Sequence, residues 1–346
     1  MNALIHRFKQ VALVITACVV LALLGGIAFN AFENWNLDRL HPVPGKIYRV
    51  GTYAMHIYCS GRDSPTVVLE SGLGNDWLIW QKVQPEIART NRVCSYDRAG
   101  LGWSAPRPGS RGAPEIAEQL EALLEQAGIH DKLILAGHSA GGLYVRAFAG
   151  LFPDKVAGLV FVDASSPEAF HALPSPGLRQ QLIAERHRKA PWLFFRVATG
   201  LARISGDYCN PNTSQRIPAV RDFARAEDCR PVYMNSWLGE WDDFESSAER
   251  VFKMACCASI PLVIISEDPG PATRDAASVA EDQRIWDTVQ EGLKGLSSRS
   301  MRIIARNSRH YIMVDRPDVV IAAIGIVDAE FHDRSERMQL GQTIWR

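Results

Sequence analysis

The chain has 346 residues with 38 basic and 38 acidic side chains, so its formal net charge is zero. Without a basic field, binding to nucleic acid or to an anionic surface is disfavoured. Hydrophobic residues make up 47% and charged residues 22% of the chain, which excludes a disordered chain and a protein with many membrane spans. The sequence has no CxxC pair and no Cys/His cluster with zinc spacing, so we expect no structural metal.

The first predicted element is an uncharged apolar stretch of nineteen residues, 11–29. At ~1.5 Å rise per residue it would be about 28 Å long, enough to cross a hydrocarbon core of about 30 Å. Arg7 and Lys9 precede it, so the positive-inside rule keeps the N-terminus in the cytoplasm and exports the rest of the chain. We interpret residues 1–32 as a membrane anchor. The alternative is a signal segment, cleaved near residues 26–28, which would leave a secreted protein.

From residue 46 onward, short apolar runs alternate with helical patterns. The runs are rich in branched residues and several lack polar alternation, which is typical of strands buried on both faces. The six clearest are TVVLE (66–70), VCSY (93–96), LILA (133–136), GLVFV (158–162), PLVII (261–265) and MRII (301–304). Residues 114–128 predict the clearest helix, and residues 53–61 predict an antiparallel hairpin at one edge. This alternation predicts an α/β fold with a mostly parallel sheet flanked by helices.

One interval does not fit this rhythm, because 98 residues separate Val162 from Pro261. An unstructured loop of that length is improbable in a compact domain, so we predict a helical cap at 164–255, inserted into a core formed by 46–163 and 256–332. The aromatic residues of this interval include Phe170, Trp192, Phe194, Phe195, Tyr208, Phe223, Trp237, Trp241 and Phe244. They would form the core of the cap or line an apolar site, and both interpretations stay open.

The motif with the clearest chemical meaning is GHSAGG at 137–142, between the strand LILA and a helical pattern. In a G-x-S-x-G turn the serine occupies a strained strand-to-helix corner that exposes its oxygen. Ser139 is therefore the predicted nucleophile, and the N–H of Ala140 at the helix start would donate to an oxyanion. The loop Ser-Gly-Leu-Gly at 71–74 would supply the second donor, for which we select the N–H of Leu73.

A nucleophilic serine requires a base, and the base requires an orienting carboxylate. His310 follows the last predicted strand, at the sheet edge where an open α/β fold places its site, and it is the predicted base. For the acid we select Asp268, which follows the strand PLVII and keeps the chain order serine, acid, histidine. Asp163 and Glu267 remain alternatives.

The chain resembles the α/β-hydrolase fold superfamily over about residues 46–330. The resemblance rests on SGLG (71–74), the run DRAGLGWS (97–104), the elbow GHSAGG and the late His310. It implies an eight-stranded sheet with a cap after the sixth strand, and no metal or organic cofactor. It also implies that the loop carrying Asp97, Gly100, Gly102 and Ser104 supports the site without reacting. Two departures are visible: Ser71 occupies a position where the family often has histidine, and the loop after PLVII is shorter than usual.

These residues predict a serine hydrolase that cleaves a carboxylic ester, with an apolar small molecule as substrate, through an acyl-enzyme. Serine in place of an aspartate nucleophile disfavours a dehalogenase or epoxide hydrolase. The same triad could instead act on amide, lactone or C–C bonds, or transfer an acyl group. A membrane-anchored binding protein without catalysis is the alternative from another class. No nucleic-acid partner is expected.

If the chain is exported, six cysteines face an oxidising compartment. We predict a Cys209–Cys229 disulfide within the cap. Cys256 and Cys257 are expected not to pair, because a bond between neighbours would be strained. Cys59 and Cys94 lie on two predicted strands, and the sequence leaves open whether they are bonded or are buried thiols.

Overall fold

The computed structural model describes residues 2–40, 42–168, 176–205, 229–268, 277–332 and 343–345. Its first element is a single 39-residue helix, α1 (Asn2–Leu40), which extends eight residues past the predicted end of the anchor. This is the helix in the described chain that is long and apolar enough to cross a membrane, with a mean hydropathy of 2.7 over its best window. Most apolar side chains in the apolar stretch 11–29 of α1 are exposed, so this stretch does not contribute to the core of the molecule.

The described residues form one sheet of nine strands in the order β1-β2-β4-β3-β5-β6-β7-β8-β9. The strands are β1 (Lys46–Val50), β2 (Tyr53–Ser60), β3 (Thr66–Glu70), β4 (Val93–Tyr96), β5 (Leu133–His138), β6 (Val156–Val162), β7 (Leu262–Asp268), β8 (Ser300–Arg306) and β9 (Thr343–Trp345). The β1–β2 and β2–β4 pairs are antiparallel, and every other pair is parallel. The first eight strands form the mostly parallel α/β sheet that the sequence predicts. The three-residue β9 lies beyond the predicted end of the core at 332, and it is too short to give a periodic signal.

Helices cover both faces of the sheet. Those of the core are α2 (Gln84–Ile87), α3 (Ala113–Gln126), α4 (Ala140–Leu151), α9 (Ala277–Gly292), α10 (Ile312–Asp315) and α11 (Pro317–Phe331). Two clusters of buried side chains fill the space between the sheet and these helices, one containing α3 and α4 and the other containing α10 and α11. Burial on both faces explains why the central strands read as continuous apolar runs.

The interval that the sequence assigns to a cap contributes four helices among the described residues: α5 (Pro176–Ala198), α6 (Leu201–Ile204), α7 (Pro231–Asp242) and α8 (Phe244–Phe252). Buried side chains of α5, α6 and α7 pack against Leu101 in the loop after β4. The helices between β6 and β7 therefore have a small apolar core of their own, which is anchored on the loop that follows β4.

The cysteines are paired in a pattern that differs from the sequence prediction at one point. Cys59 and Cys94 face each other on the antiparallel strands β2 and β4 and form a disulfide. Cys256 and Cys257 are also paired, so the expectation that they would not pair is wrong. Cys257 has a φ of 77°, and this left-handed turn brings the two neighbouring side chains together. Cys229 is disulfide-bonded, whereas Cys209 lies outside the described residues.

Candidate active site

Ser139 sits at the sharp turn between β5 and α4, as its motif predicts. Its φ of 53° and ψ of −123° lie in a region that non-glycine residues rarely adopt. Two backbone contacts hold this conformation: the Ser139 N–H donates to the carbonyl of Val162 at 3.1 Å, and the Ser139 carbonyl accepts from the Ser165 N–H at 2.8 Å. Ser139 is only partly buried, while its neighbours His138 and Ala140 are buried. The turn therefore presents the serine side chain at the carboxyl edge of the sheet.

Gly137 and Gly141, the two glycines of the G-x-S-x-G pattern, are required because other backbone atoms lie close to both. A Cβ at Gly137 would lie 2.4 Å from the carbonyl oxygen of Gly141, and a Cβ at Gly141 would lie 2.6 Å from the carbonyl oxygen of Glu70. A side chain at Gly137 would push β5 away from α4, and a side chain at Gly141 would push α4 away from β3. The motif thus fixes where α4 begins relative to the sheet.

His310 lies in the loop after β8 and contacts the elbow. Its carbonyl oxygen accepts from Nε2 of His138 at 2.9 Å, and the centroids of the two imidazole rings are 4.7 Å apart. Nδ1 of His310 lies 2.6 Å from Oδ2 of Asp163. A carboxylate only accepts, so this contact places the proton on Nδ1 and leaves Nε2 as the basic nitrogen.

The carboxylate beside His310 is therefore Asp163, and the expectation that Asp268 would occupy this place is corrected. Strand β7 continues to Asp268, three residues past the predicted strand end, and the Asp268 carbonyl accepts from the Ser308 N–H at 3.2 Å. Asp268 thus ends the strand by holding the loop that carries His310. Asp163 follows directly after β6, where a φ of 44° turns the chain, and its side chain reaches the imidazole.

Asp163 is held rigidly in this position. It is 1% exposed, and its Oδ1 accepts from Nε1 of Trp286 at 2.9 Å and from the Glu267 N–H at 3.3 Å. The run GLVFVD contained a signal for Asp163, because an acidic residue at the end of a buried strand lies at the edge of the sheet where the site forms. Trp286 carried no such signal, because it comes from α9, far along the chain.

The two histidines of the site have opposite electrostatic environments. Burial by itself would lower the pKa of His310, but the hydrogen bond and charge of Asp163, with the charge of Glu267, raise that pKa above the usual histidine value. Burial and the neighbouring His310 hold the pKa of His138 well below its usual range. His138 is therefore a neutral donor to the His310 carbonyl, while His310 is a strengthened base.

A buried ionic cluster holds the loop 71–74 against the elbow, and sequence reasoning missed it. Arg98 donates through Nη1 to the Ser71 carbonyl and through Nη2 to the Gly72 carbonyl, each at 2.8 Å. The same guanidinium pairs with Glu70 at 2.6 Å and with Glu240 of α7 at 2.7 Å. Burial alone would lower the pKa of Arg98, but Glu240 and Glu70 raise it well above its usual value, so Arg98 stays charged.

Glu240 connects this cluster to the helices between β6 and β7. Its Oε2 accepts from the Gly74 N–H at 2.8 Å, and the Tyr233 hydroxyl of the same helix donates to the Gly74 carbonyl at 2.7 Å. No pattern around Glu240 distinguishes it in the sequence, because its role depends on the position of α7 above the loop. We call Arg98 and Glu240, with the loop residues that they contact, the loop clamp.

Loop 71–74 passes directly over the serine. A Cβ at Gly72 would lie 3.2 Å from Cβ of Ser139 and 2.9 Å from Nδ1 of His138. Gly74 has a φ of 66°, and a Cβ there would lie 2.3 Å from Cδ1 of Trp237. The glycines of this loop are therefore needed for close approach to the elbow on one side and to a tryptophan of α7 on the other.

The loop after β4 supports this arrangement through Asp97, which is fully buried. Its carboxylate accepts from the Trp77 N–H at 3.0 Å and from Nδ1 of His56 at 2.7 Å. A Cβ at Gly102 would lie 2.2 Å from Oδ2 of Asp97, so this position requires glycine. Each carboxylate oxygen of Asp97 therefore accepts a hydrogen bond from within the protein. Within the described ranges, no group of three or more His, Cys, Asp or Glu side chains is arranged to hold a metal ion.

The comparisons with known proteins agree with this fold. A family model of the alpha/beta hydrolase fold matches residues 65–187. RutD of Pseudomonas savastanoi pv. phaseolicola, whose name describes a carbamate hydrolase, is 32% identical over 48% of this chain and 70% of its own length. The chain belongs to the α/β-hydrolase fold family.

Solved structures extend the similarity to most of the chain. The epoxide hydrolase CorEH has a TM-score of 0.61 at 18% identity, covering 83% of this chain and 98% of that one. An esterase from Thermogutta terrifontis has a TM-score of 0.58 at 21% identity, with the same coverage of 83% and 98%. The chain spans only part of some longer relatives, 19% of one from Hormonema carpetanum and 49% of one from Schizosaccharomyces pombe.

Proposed function

We propose that this chain is a serine hydrolase of carboxylic esters, with Ser139 as nucleophile, His310 as base and Asp163 as the orienting acid. The observation that carries this proposal is the 2.6 Å contact between His310 and the buried Asp163, made beside an elbow that holds Ser139 at a φ of 53°. A histidine with this partner, at the carboxyl edge of the sheet and in contact with the turn that carries the partly buried Ser139, supports a triad.

The reaction would proceed through an acyl-enzyme. Nε2 of His310 takes the proton of Ser139 as its oxygen attacks the acyl carbon, and returns that proton to the leaving alcohol. Asp163 stabilises the imidazolium that forms between these steps. The N–H of Ala140 lies at the start of α4, where helix N–H groups have no partner within the helix, and it would donate to the oxyanion. Water then releases the acid and restores Ser139.

The second oxyanion donor would be the N–H of Leu73. The N–H of its neighbour Gly74 is already bonded to Glu240, and the glycine before Leu73 lies so close to Ser139 that a Cβ there would be 3.2 Å from the serine Cβ. The loop clamp would hold this donor in place before substrate binds, which is the arrangement that lowers the barrier most effectively. Trp237, packed on the same loop, supports an apolar group in the substrate.

The proposal is tested with the full chain in detergent micelles, using a fluorophosphonate probe and a panel of nitrophenyl esters of increasing chain length. We expect covalent labelling of Ser139 and hydrolysis that is lost in Ser139→Ala by roughly 10⁴-fold or more, because the triad acts as a unit. Ser246→Ala is the control, since its hydroxyl is exposed and contacts only a backbone carbonyl among the bonds observed. Unchanged labelling in Ser139→Ala would overturn the assignment.

A second candidate is cleavage of a carbamate or amide by the same residues. It is favoured by the similarity to RutD, whose name describes a carbamate hydrolase. Fold and triad do not distinguish these bonds. Matched aryl esters and aryl carbamates with the same leaving group separate the two: we expect the larger kcat/KM for the ester, and a larger value for the carbamate would reverse the order of the candidates.

We further propose that α1 is a retained anchor that leaves the catalytic part on the exported side of the membrane. The length and apolar composition of α1 support a single span. Disulfide bonding supports export: among the cysteines of the described residues, only Cys18, within α1, is free. Disulfides persist in oxidising compartments and are rare in the cytosol.

A further inference from the structure

The end of the apolar stretch of α1 is docked on the helices between β6 and β7. Gly26 approaches the carbonyl of Thr199 so closely that a Cβ there would lie 2.2 Å from the oxygen, whereas a Cβ at the adjacent Gly25 would meet nothing within 4 Å. One turn further, Asn30 is 4% exposed and donates to the Val197 carbonyl at 3.0 Å. These contacts lie at the junction between α5 and α6.

Polar contacts continue along α1 away from its apolar part. Arg203 of α6 donates to the side-chain oxygens of Asn30 at 3.1 Å and Asn34 at 2.7 Å, and Arg230 pairs with Asp38 at 2.6 Å. The residues of α1 that dock are therefore its last turns, while the preceding apolar turns project away with their side chains exposed. This is the distribution expected when one end of a helix is held by protein and the other lies in lipid.

The docking contacts fix the depth of the junction. The apolar stretch ends at Phe29, and Gly26 lies three residues inside that end, which is about 4.5 Å along a helix. If the stretch crosses a bilayer, the Thr199 carbonyl that contacts Gly26 lies about 4.5 Å inside the outer edge of the hydrocarbon, next to a headgroup region about 5–8 Å thick.

Exposed apolar side chains lie on both sides of this junction along the chain, towards the end of α5 and in α6. Trp192 and Ile204 are 61% and 62% exposed, and Phe194, Phe195 and Leu201 are each 38% exposed. We call these five residues the junction patch. A cluster of this kind on a soluble surface marks an interaction site, and tryptophan is favoured where one side of a residue meets lipid and the other meets water.

We propose that the junction patch is embedded in the outer boundary of the same bilayer that α1 spans, so that the helices between β6 and β7 rest on the lipid surface. The proposal rests on α1 being a retained membrane anchor. Helix α5 also carries Arg186, Arg188, Lys189 and Arg196, and basic residues beside apolar ones are typical of helices that lie in the membrane interface. The partner of this surface is therefore a lipid bilayer.

The test measures depth directly on the full chain in lipid vesicles. Single cysteines replace Trp192 or Ile204 in a Cys18→Ser background, since the other described cysteines are bonded, and each carries an environment-sensitive fluorophore. Phe252→Cys is the matched control, because Phe252 is a similarly exposed aromatic (55%) at the far end of α8. Leu21→Cys reports the span itself, and the background chain without an added cysteine gives the blank.

Acyl-brominated lipids quench probes that lie in hydrocarbon. We expect the probes at 192 and 204 to lose roughly half or more of their emission, as at 21, while the probe at 252 is unaffected. Quenching at 21 without quenching at 192 and 204 would overturn the proposal. No quenching at 21 would overturn the anchor and the proposal with it. Fluorophosphonate labelling of the same samples reports the hydrolase site separately.

A second pair of variants tests whether docking sets the depth. Gly26→Leu should push α1 away from Thr199 and reduce quenching of the probe at 204 at least twofold, whereas Gly25→Leu, which adds the same side chain in open space, should leave it unchanged. Equal quenching in both variants would contradict the role assigned to the contact between α1 and the junction.

Discussion

Asp163 illustrates how one side chain connects three elements of the site. It follows β6, accepts from Trp286 of α9 and from the backbone of Glu267 at the end of β7, and holds the imidazole of His310 after β8. With these partners its carboxylate has few alternative positions, which is what an orienting acid requires. Asp268 contributes instead through its backbone, to which the loop carrying His310 is hydrogen-bonded.

The first prediction compares these two carboxylates. We expect Asp163→Asn to lower kcat about 10⁴-fold, because an amide at this position favours the wrong imidazole tautomer. Asp268→Asn, which keeps the backbone carbonyl that Ser308 uses, should retain kcat to within about tenfold. Steady-state kinetics on both variants decide the matter, and the opposite ranking would return the role of the acid to Asp268.

The second prediction concerns pH. The proposed mechanism requires neutral His310, and Asp163 raises the pKa of this residue above its usual value. Activity should therefore be lost as the pH falls through that raised pKa, so the acid limb of kcat/KM should have its midpoint above about 6.5. In Asp163→Asn the residual activity should show a midpoint at lower pH. A wild-type midpoint below that of the variant would contradict the coupling.

At the scale of elements, the loop clamp joins parts of the chain that are far apart in sequence. Loop 71–74 follows β3, Arg98 follows β4, and Glu240 comes from α7. Each of the two ionic partners of Arg98 is almost completely buried, so the guanidinium has no access to water that could replace them. Removing one partner leaves a buried charge partly uncompensated, which is far more damaging than losing a surface pair.

The third prediction follows from this cluster. Glu240→Ala should lower the free energy of unfolding by about 3–5 kcal/mol, because it leaves the buried Arg98 without one of its two carboxylate partners. It should also lower kcat, because the loop that carries Leu73 loses the acceptor of its Gly74 N–H. The control Glu245→Ala changes an exposed residue in the neighbouring helix and should stay within about 0.5 kcal/mol of the parent. Denaturant unfolding and ester hydrolysis are measured on both variants. A loss of stability with unchanged kcat would show that the clamp does not position the loop.

At the scale of the whole molecule, the disulfide between Cys59 and Cys94 ties the antiparallel edge to the parallel part of the sheet. The two residues are opposite each other in the β2–β4 register, and 35 positions separate them in sequence. Closing a loop of this length restricts the unfolded chain, which in the chain-entropy model contributes about 4 kcal/mol. If the chain is exported, as proposed, this bond would form in an oxidising compartment.

The fourth prediction uses this bond. The double variant Cys59→Ala/Cys94→Ala should lose about 4 kcal/mol of unfolding free energy, while Cys18→Ala, which removes the free thiol of α1, should leave it unchanged. In protein taken from cells, alkylation without reductant should leave both Cys59 and Cys94 unmodified. Modification of both would place the catalytic part in a reducing compartment and would contradict export.

Much of the fold and part of the site could be predicted from local patterns in the sequence. The strands of the parallel sheet are buried on both faces, so each reads as an apolar run regardless of its neighbours. The strained corner at Ser139 requires glycines within two residues on each side, so it too is encoded locally. The apolar stretch of α1 is recognisable for the same reason, since its length and composition alone decide whether it can cross a bilayer.

Other features depended on where distant segments meet. The partner of His310 was decided by the exact end of β7 and the turn after β6, because a shift of a few residues changes which carboxylate reaches the imidazole. The loop clamp needs an arginine and a glutamate whose proximity depends on how α7 packs over the sheet, and neither has a local signature. The contact between α1 and the junction of α5 and α6 is of the same kind, because close packing of two backbones depends on the positions of both in space.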